Sequence, residues 1–196
     1  MKQLENYNFM KSIKLLSIVF VSLTLFAFST ETIKSINVEE SIVKWTGYKV
    51  TGQHEGTISL KSGALIFEGN KLTGGKFVMD MTTINTTDIE GDYKAKLDGH
   101  LKSNDFFGVK RHKQAVLNFT SIKQKEDKYI IKGDLTIKGI KNEVTFVMGL
   151  FKDYAVAKLK IDRTKFDVKY GSASFFDGLK DRAIYDEFDL DVKLKF

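Results

Sequence analysis

From about residue 36 to residue 196, apolar and polar positions alternate with a period of two rather than 3.6. That is the spacing of strands with one face buried and the other in water. The C-terminal run is the plainest case, with Phe188, Leu190, Val192, Leu194 and Phe196 alternating with Glu187, Asp189, Asp191, Lys193 and Lys195. Phe77, Met79 and Met81 stand opposite Lys76 and Asp80, and Val144, Phe146, Met148 and Leu150 share a face that excludes Thr145. Tyr129, Ile131, Leu135 and Ile137 oppose Lys132, Asp134, Thr136 and Lys138, and Ala155, Ala157, Leu159 and Ile161 oppose Lys158 and Lys160. Turn signals separate these runs at Lys61-Ser62-Gly63, Glu68-Gly69-Asn70-Lys71, Glu126-Asp127, Gly139-Ile140-Lys141-Asn142 and Lys152-Asp153. Short loops between alternating runs mean hairpins, hence an antiparallel all-β meander closed as a sandwich or barrel. The predicted strands are 42–50, 54–60, 63–68, 74–81, 115–124, 128–138, 142–151 and 154–162, with a ninth at 185–196 closing against the first.

One segment departs from this period. Between Asp88 and Phe107 the alternation stops, and Tyr93, Leu97 and Leu101 recur at the spacing of one helix face. Asp88 is the expected N-cap and Gly108 the stop. His100, Leu101, Phe106 and Phe107 end the segment with apolar bulk that has no strand to sit on. A short helix packing across one open end of a barrel accounts for it.

The inward faces are bulky and soft: Trp45, Leu65, Phe67, Phe77, Met79, Met81, Phe119, Leu135, Phe146 and Met148. A barrel of about eight strands is either filled by such side chains or holds one small ligand, and periodicity alone leaves both open. With so little charge on that face an aqueous channel is excluded and any guest is apolar. Methionine suits irregular guests. Burying a methylene gains about 0.8 kcal/mol, so a twenty-carbon chain gains roughly 16 kcal/mol before association costs of about 4–15 kcal/mol. A long hydrocarbon therefore binds usefully without polar contacts.

The first residues read as an address. Lys11-Ser12-Ile13-Lys14 precedes the mostly apolar run 15–28, and Ala27-Phe28-Ser29 supplies a small-x-small cleavage site. The run is short of the ~20 residues a spanning helix needs, so residues 1–29 are expected to be a cleaved signal peptide, from Met1 or Met10. Residues 30–196 then form one exported, periplasmic domain without stable membrane insertion. The formal charge of +6 falls to +4 once Lys2, Lys11, Lys14 and Glu5 are removed. Only Arg111, Arg163 and Arg182 among 31 basic residues are arginines, and the lysines alternate with acids, so no nucleic-acid partner is expected. Cysteine and proline are both absent. Disulfides, thiolate metal sites and a cysteine nucleophile are thereby excluded.

Candidate chemistry is sparse. His54, His100 and His112 form no metal-ligand spacing, no phosphate-cradling glycine loop or serine elbow occurs, and no metal or cofactor is expected. Asp189 and Asp191 fall on the solvated face. Arg163 in Asp162-Arg163-Thr164 is expected to pair with Asp186 or Asp80. Gly74-Gly75, Gly47, Gly52 and Gly56 read as bends or bulges in curved strands. No catalytic residue is predicted. The competing expectations are an enzyme using His100 or His54 with a carboxylate inside the barrel, and a solidly packed structural module.

Five motifs in order carry a resemblance. Trp45-Thr46-Gly47-Tyr48-Lys49 with Gly52-Gln53-His54-Glu55-Gly56-Thr57-Ile58 comes first, then Gly74-Gly75 leading to Asp80-Met81. Lys96-Leu97-Asp98-Gly99-His100-Leu101-Lys102-Ser103 with Asp105-Phe106-Phe107 is followed by 133–139 and by Asp162-Arg163-Thr164-Lys165-Phe166. Over residues 42–196 the chain resembles the YceI-like family. The resemblance implies an extended lipocalin-like antiparallel barrel in the periplasm. It implies a guest such as a polyisoprenoid, isoprenoid quinone or fatty-acid derivative inside the barrel. The expected protein is a non-enzymatic carrier, a monomer or homodimer. Relatives often carry Tyr-Pro or His-Pro after the paired phenylalanines, where this chain reads His112-Lys113-Gln114. The expected ligand-contacting set is Trp45, Leu65, Phe67, Phe77, Met79, Met81, Leu97, His100, Leu101, Phe106, Phe107, Phe119, Leu135, Phe146 and Met148.

Overall fold

A computed structural model describes residues 30–196. The expected signal peptide at 1–29 lies outside the described residues. Within them no helix is long and apolar enough to cross a membrane.

The strands are β1 (Glu31–Ser35), β2 (Asn37–Lys49), β3 (Gly52–Glu68), β4 (Lys71–Thr86), β5 (Gln114–Lys125), β6 (Lys128–Ile137), β7 (Ile140–Leu150), β8 (Tyr154–Asp162) and β9 (Ile184–Lys195), with helix α1 (Gly91–Lys102) between β4 and β5. Eight close in the order β3-β2-β9-β8-β7-β6-β5-β4, and β4 returns to β3. Every pairing is antiparallel. Closure leaves the ring no free edge. The described residues form the predicted all-β barrel with one helix, and the last strand closes against β2 as expected, Trp45 opposite Leu190.

The period-two code is read out directly. In β8, Ala155, Ala157, Leu159 and Ile161 are buried while Val156, Lys158 and Lys160 face outward. Several boundaries differ from expectation. The segments 54–60 and 63–68 are one strand, because Lys61-Ser62-Gly63 forms a register shift against β4 rather than a turn. A side chain at Gly63 would meet Ile36 and Phe77 at 2.9 Å, so the glycine lets the strand bend inward. β4 begins at Lys71, and its Gly75 lies under the Phe119 ring instead of starting the strand. β1, which no alternation announced, pairs with the distal half of β3, Glu31 opposite Glu68.

The helix starts later than predicted. Its N-cap is Glu90. The Asp88 carboxylate instead accepts the Glu55 N–H at 3.2 Å and lies 2.8 Å from His54 Nδ1, tying the β2–β3 hairpin to the chain leaving β4. The expected helix face is realised only at its end, since Leu101 is buried, Leu97 half-buried and Tyr93 77% exposed. Gly108 lies beyond the helix with φ +58°, in a turn whose carbonyl takes the N–H groups of Arg111 and His112.

Two polar clasps seat α1. Asp98 Oδ1 accepts both the N–H and the hydroxyl of Thr86 at 2.8 and 2.7 Å, and Lys94 bridges Asn85 and Asp98 at 2.6 Å each. The helix therefore sits at the end of the barrel where β4 and β8 finish and β5 and β9 begin. The opposite end is filled. Leu65, Leu72 and Ile131 are essentially fully buried there, and the Lys34 ammonium lies over the Phe67 and Phe196 rings.

Candidate functional site

The inward faces do not meet in the middle. They enclose a cavity of about 190 Å³, and every strand of the ring contributes to its wall. A single water needs roughly 10–15 Å³. The barrel is hollow, so solid packing is set aside. On β9 the lining runs from Ile184 to Leu194. At about 3.4 Å per residue and a tilt near 40° this spans roughly 25 Å along the axis.

Eleven of the fifteen expected contact residues lie on this wall: Trp45, Phe77, Met79, Met81, Leu101, Phe106, Phe107, Phe119, Leu135, Phe146 and Met148. The other four do not. Leu65 and Phe67 sit on the distal half of β3, where they fill the closed end instead of facing the void. Leu97 is on α1 outside the cavity. His100 is turned between Phe106 and Tyr170, with ring centroids 5.6 and 4.4 Å away. Neither His100 nor His54 is on the wall, as an enzymatic reading required. Leu159, Ile161, Leu190, Val192 and Leu194 join the lining, and their alternation already placed them on inward faces. Ile58, Leu60 and Ile84 were missed because bulges interrupt the period around them.

Aromatic side chains shape the interior. Phe119 packs against Phe77 and Phe146 at 5.5 and 5.8 Å between centroids, and Phe106–Phe107–Phe188 form a second chain at 5.0 and 6.4 Å under the helix. Such tilted contacts suit the ring quadrupoles. The Trp45 indole N–H donates to the Thr57 carbonyl at 3.2 Å, so the ring presents only carbon to the cavity.

Charge reaches the lining only at Arg163 and Glu187, both at the helix-bearing end. Arg163 is 2% exposed and follows β8 in a 3-10 turn. Its guanidinium donates to the carbonyls of Tyr185, Val168 and Ile184 at 3.0, 2.6 and 3.0 Å, and Asp186 lies 3.7 Å away. Of the two expected partners, Asp186 is the real one; Asp80 instead accepts from Thr82. Burial draws the Arg163 guanidinium down from its ordinary value, opposed by the charges of Asp186 and Asp162. Burial likewise raises the Asp186 carboxyl, but hydrogen bonds from Ser172 and Ser174 and the Arg163 charge outweigh it and hold it below the usual carboxylate value. Arg163 thus ties the 167–185 segment across the barrel rim.

The three histidines are dispersed. His54 pairs with Asp88, His100 lies in its aromatic box and His112 packs near Gly108 and Gly139. Among the described residues no group of three His, Asp or Glu side chains is placed to hold a metal ion. What the cavity offers is an apolar volume along the barrel axis.

Comparison with known proteins gives a consistent picture. The YceI-like domain model matches residues 34–196. Protein YceI of Escherichia coli O157:H7 is 41% identical over 63 residues, 32% of each chain. The alignment therefore spans about a third of the length of that curated relative. The crystal structure of Burkholderia cenocepacia BcnA matches with a TM-score of 0.65 at 21% identity, covering 81% of this chain and 98% of that one. A polyisoprenoid binding domain from Saccharophagus degradans, implicated in plant cell wall breakdown, matches with a TM-score of 0.56 at 13% identity, covering 82% and 95%.

Proposed function

The chain belongs to the YceI-like domain family, and on that premise we propose that it is a non-enzymatic carrier that holds one long apolar lipid along the barrel axis. The guest is a polyisoprenoid, an isoprenoid quinone or a fatty-acid derivative. The site comprises the eleven wall residues expected from the sequence, with Leu159, Leu190 and Val192. The basic and apolar N-terminal run supports export to the periplasm, where a lipid crossing water needs such a container.

One observation carries this reading: the apolar volume of about 190 Å³ inside a closed barrel. An apolar engineered cavity of about 150 Å³ stays dry and takes up benzene, so a larger one drawn out over roughly 25 Å selects a chain rather than a ring. The name of the Saccharophagus neighbour, a polyisoprenoid binding domain, points the same way. Each buried methylene contributes about 0.8 kcal/mol, so two added methylenes tighten binding by roughly tenfold until the chain outgrows the barrel.

Trp45 is the chain's single tryptophan and faces the cavity, so its emission reports occupancy. Titration with isoprenoid alcohols of increasing length is expected to give a saturable one-to-one response whose affinity climbs with length and then levels. A response that never saturates, or that ignores chain length, refutes the reading.

A further inference from the structure

The helix-bearing end of the barrel is the obvious way in, yet it is stoppered. Leu101, Phe106 and Val109 are all buried there, and Phe107 lies against Phe188 with ring centroids 6.4 Å apart. The Asp98–Thr86 and Lys94–Asn85 hydrogen bonds hold the helix in place.

The wall itself is incomplete at one place. Between β2 and β9 the ladder runs one residue to one from Val43–Val192 to Gly47–Phe188, and the next pair is Lys49–Ile184. Tyr48 alone on β2 therefore faces Tyr185, Asp186 and Glu187 on β9. A bulge of that size leaves backbone groups unpaired. Here Arg163 takes the Ile184 and Tyr185 carbonyls from inside, at 3.0 Å each, so the gap is held open by a dedicated side chain.

Two further features converge on this gap. Tyr48, Ile184, Tyr185 and Glu187 line the inner cavity and also line a separate groove on the outer surface. The barrel interior and the outer groove therefore share these residues as a common wall. The Tyr48 hydroxyl donates to Asp189 at 2.8 Å, and Lys160 bonds the same carboxylate at 2.9 Å, fastening the ring against the outside of β9. Val50 and Tyr185, which flank the opening, are 52% and 55% exposed.

We propose that lipid enters and leaves sideways through the β2–β9 gap, with the Tyr48 and Tyr185 side chains as the gate and the Tyr48–Asp189 hydrogen bond as its latch. The helix stays seated throughout. This rests on the carrier reading and adds a route to it.

Because the chain lacks cysteine, either path can be locked selectively. The probe is cis-parinaric acid, a fluorescent long-chain fatty acid, with energy transfer from Trp45 followed by stopped flow. Y48C/Y185C joined by a short bismaleimide closes the gap, and N85C/K94C joined in the same way pins α1 to β4. The gap lock is expected to slow association and dissociation together by about tenfold or more, as a closed gate does, while the helix pin changes neither. Y48F, which removes only the latch hydroxyl, is expected to speed both rates. Slowing by the helix pin with none from the gap lock overturns the route and leaves the carrier intact. Failure of the unmodified chain to bind parinaric acid or any isoprenoid overturns both.

Discussion

Filling the void from within separates a hollow barrel from a packed one by the sign of a stability change. Ala157 lines the cavity between Met148 on β7 and Val192 on β9, which line it too. Ala157→Leu adds three carbons at that point. If they occupy empty apolar space, they gain about 2.4 kcal/mol of burial and lose about 0.5–1 kcal/mol of rotamer freedom. The ligand-free barrel is then more stable by about 1.5–2 kcal/mol, a rise in Tm of roughly 3–6 °C for a domain of this size. If the interior were full, the same carbons would force neighbours off their rotamers at about 1–3 kcal/mol, and Tm would fall. Binding moves oppositely. A guest that loses contact with about three methylenes' worth of wall binds roughly fiftyfold more weakly. Melting followed by circular dichroism, beside isoprenoid titration on Trp45 emission, reads both quantities from one preparation. A lower Tm with unchanged affinity would refute the hollow barrel.

Three other perturbations have definite outcomes. Arg163→Leu strands the carbonyls of Val168, Ile184 and Tyr185 at the rim; a loss of about 3 kcal/mol or more is expected in urea unfolding, and Arg163→Lys recovers only part because an ammonium lacks the planar fork. Gly56→Ala would place a methyl 2.1 Å from the Asn85 carbonyl oxygen and 2.5 Å from the Trp45 ring, so a cost of about 3 kcal/mol is expected with a shifted Trp45 emission. Burial raises the Asp98 carboxyl, but the hydrogen bonds from Lys94 and Thr86 prevail and hold it below its ordinary 3.8. A depressed folded-state value means stability is complete above that ordinary value and lost as pH falls through the folded one. In wild type, denaturant midpoints are therefore expected to decline below pH 4, and Asp98→Ala, which leaves the N–H of the fully buried Thr86 without its acceptor, makes that decline shallower by the share Asp98 contributes while costing about 1–3 kcal/mol at neutral pH.

What the sequence made legible follows from how far each signal is local. Alternation in 154–162 and 185–196 specified both strands and their inward faces, because side-chain direction in a strand depends only on parity. Parity fails at bulges, and this barrel curves through them: Gly63 resets β3, so one continuous strand reads as two in the alternation, and the short β1 carries no alternation of its own. The helix boundary was misplaced because Asp88 is chosen by a distant partner, His54, rather than by the helix start. Leu65 and Phe67 share the chemistry and parity of true wall residues; what separates them is depth along the barrel, which no pattern encodes. Arg163 was recognised as an ion-pair former, but its three carbonyl partners lie 5 to 22 residues away and could not be read from its neighbours. Whether inward phenylalanines and methionines touch or leave space is likewise a property of the closed ring.

If this space holds a lipid in the cell, protein purified from its own cells without detergent carries it. Intact-mass spectrometry followed by organic extraction is expected to release about one long-chain apolar molecule per chain, and protein stripped of it is expected to take up isoprenoids again. Protein that emerges empty, and that afterwards accepts neither isoprenoids nor fatty amides, would contradict the account.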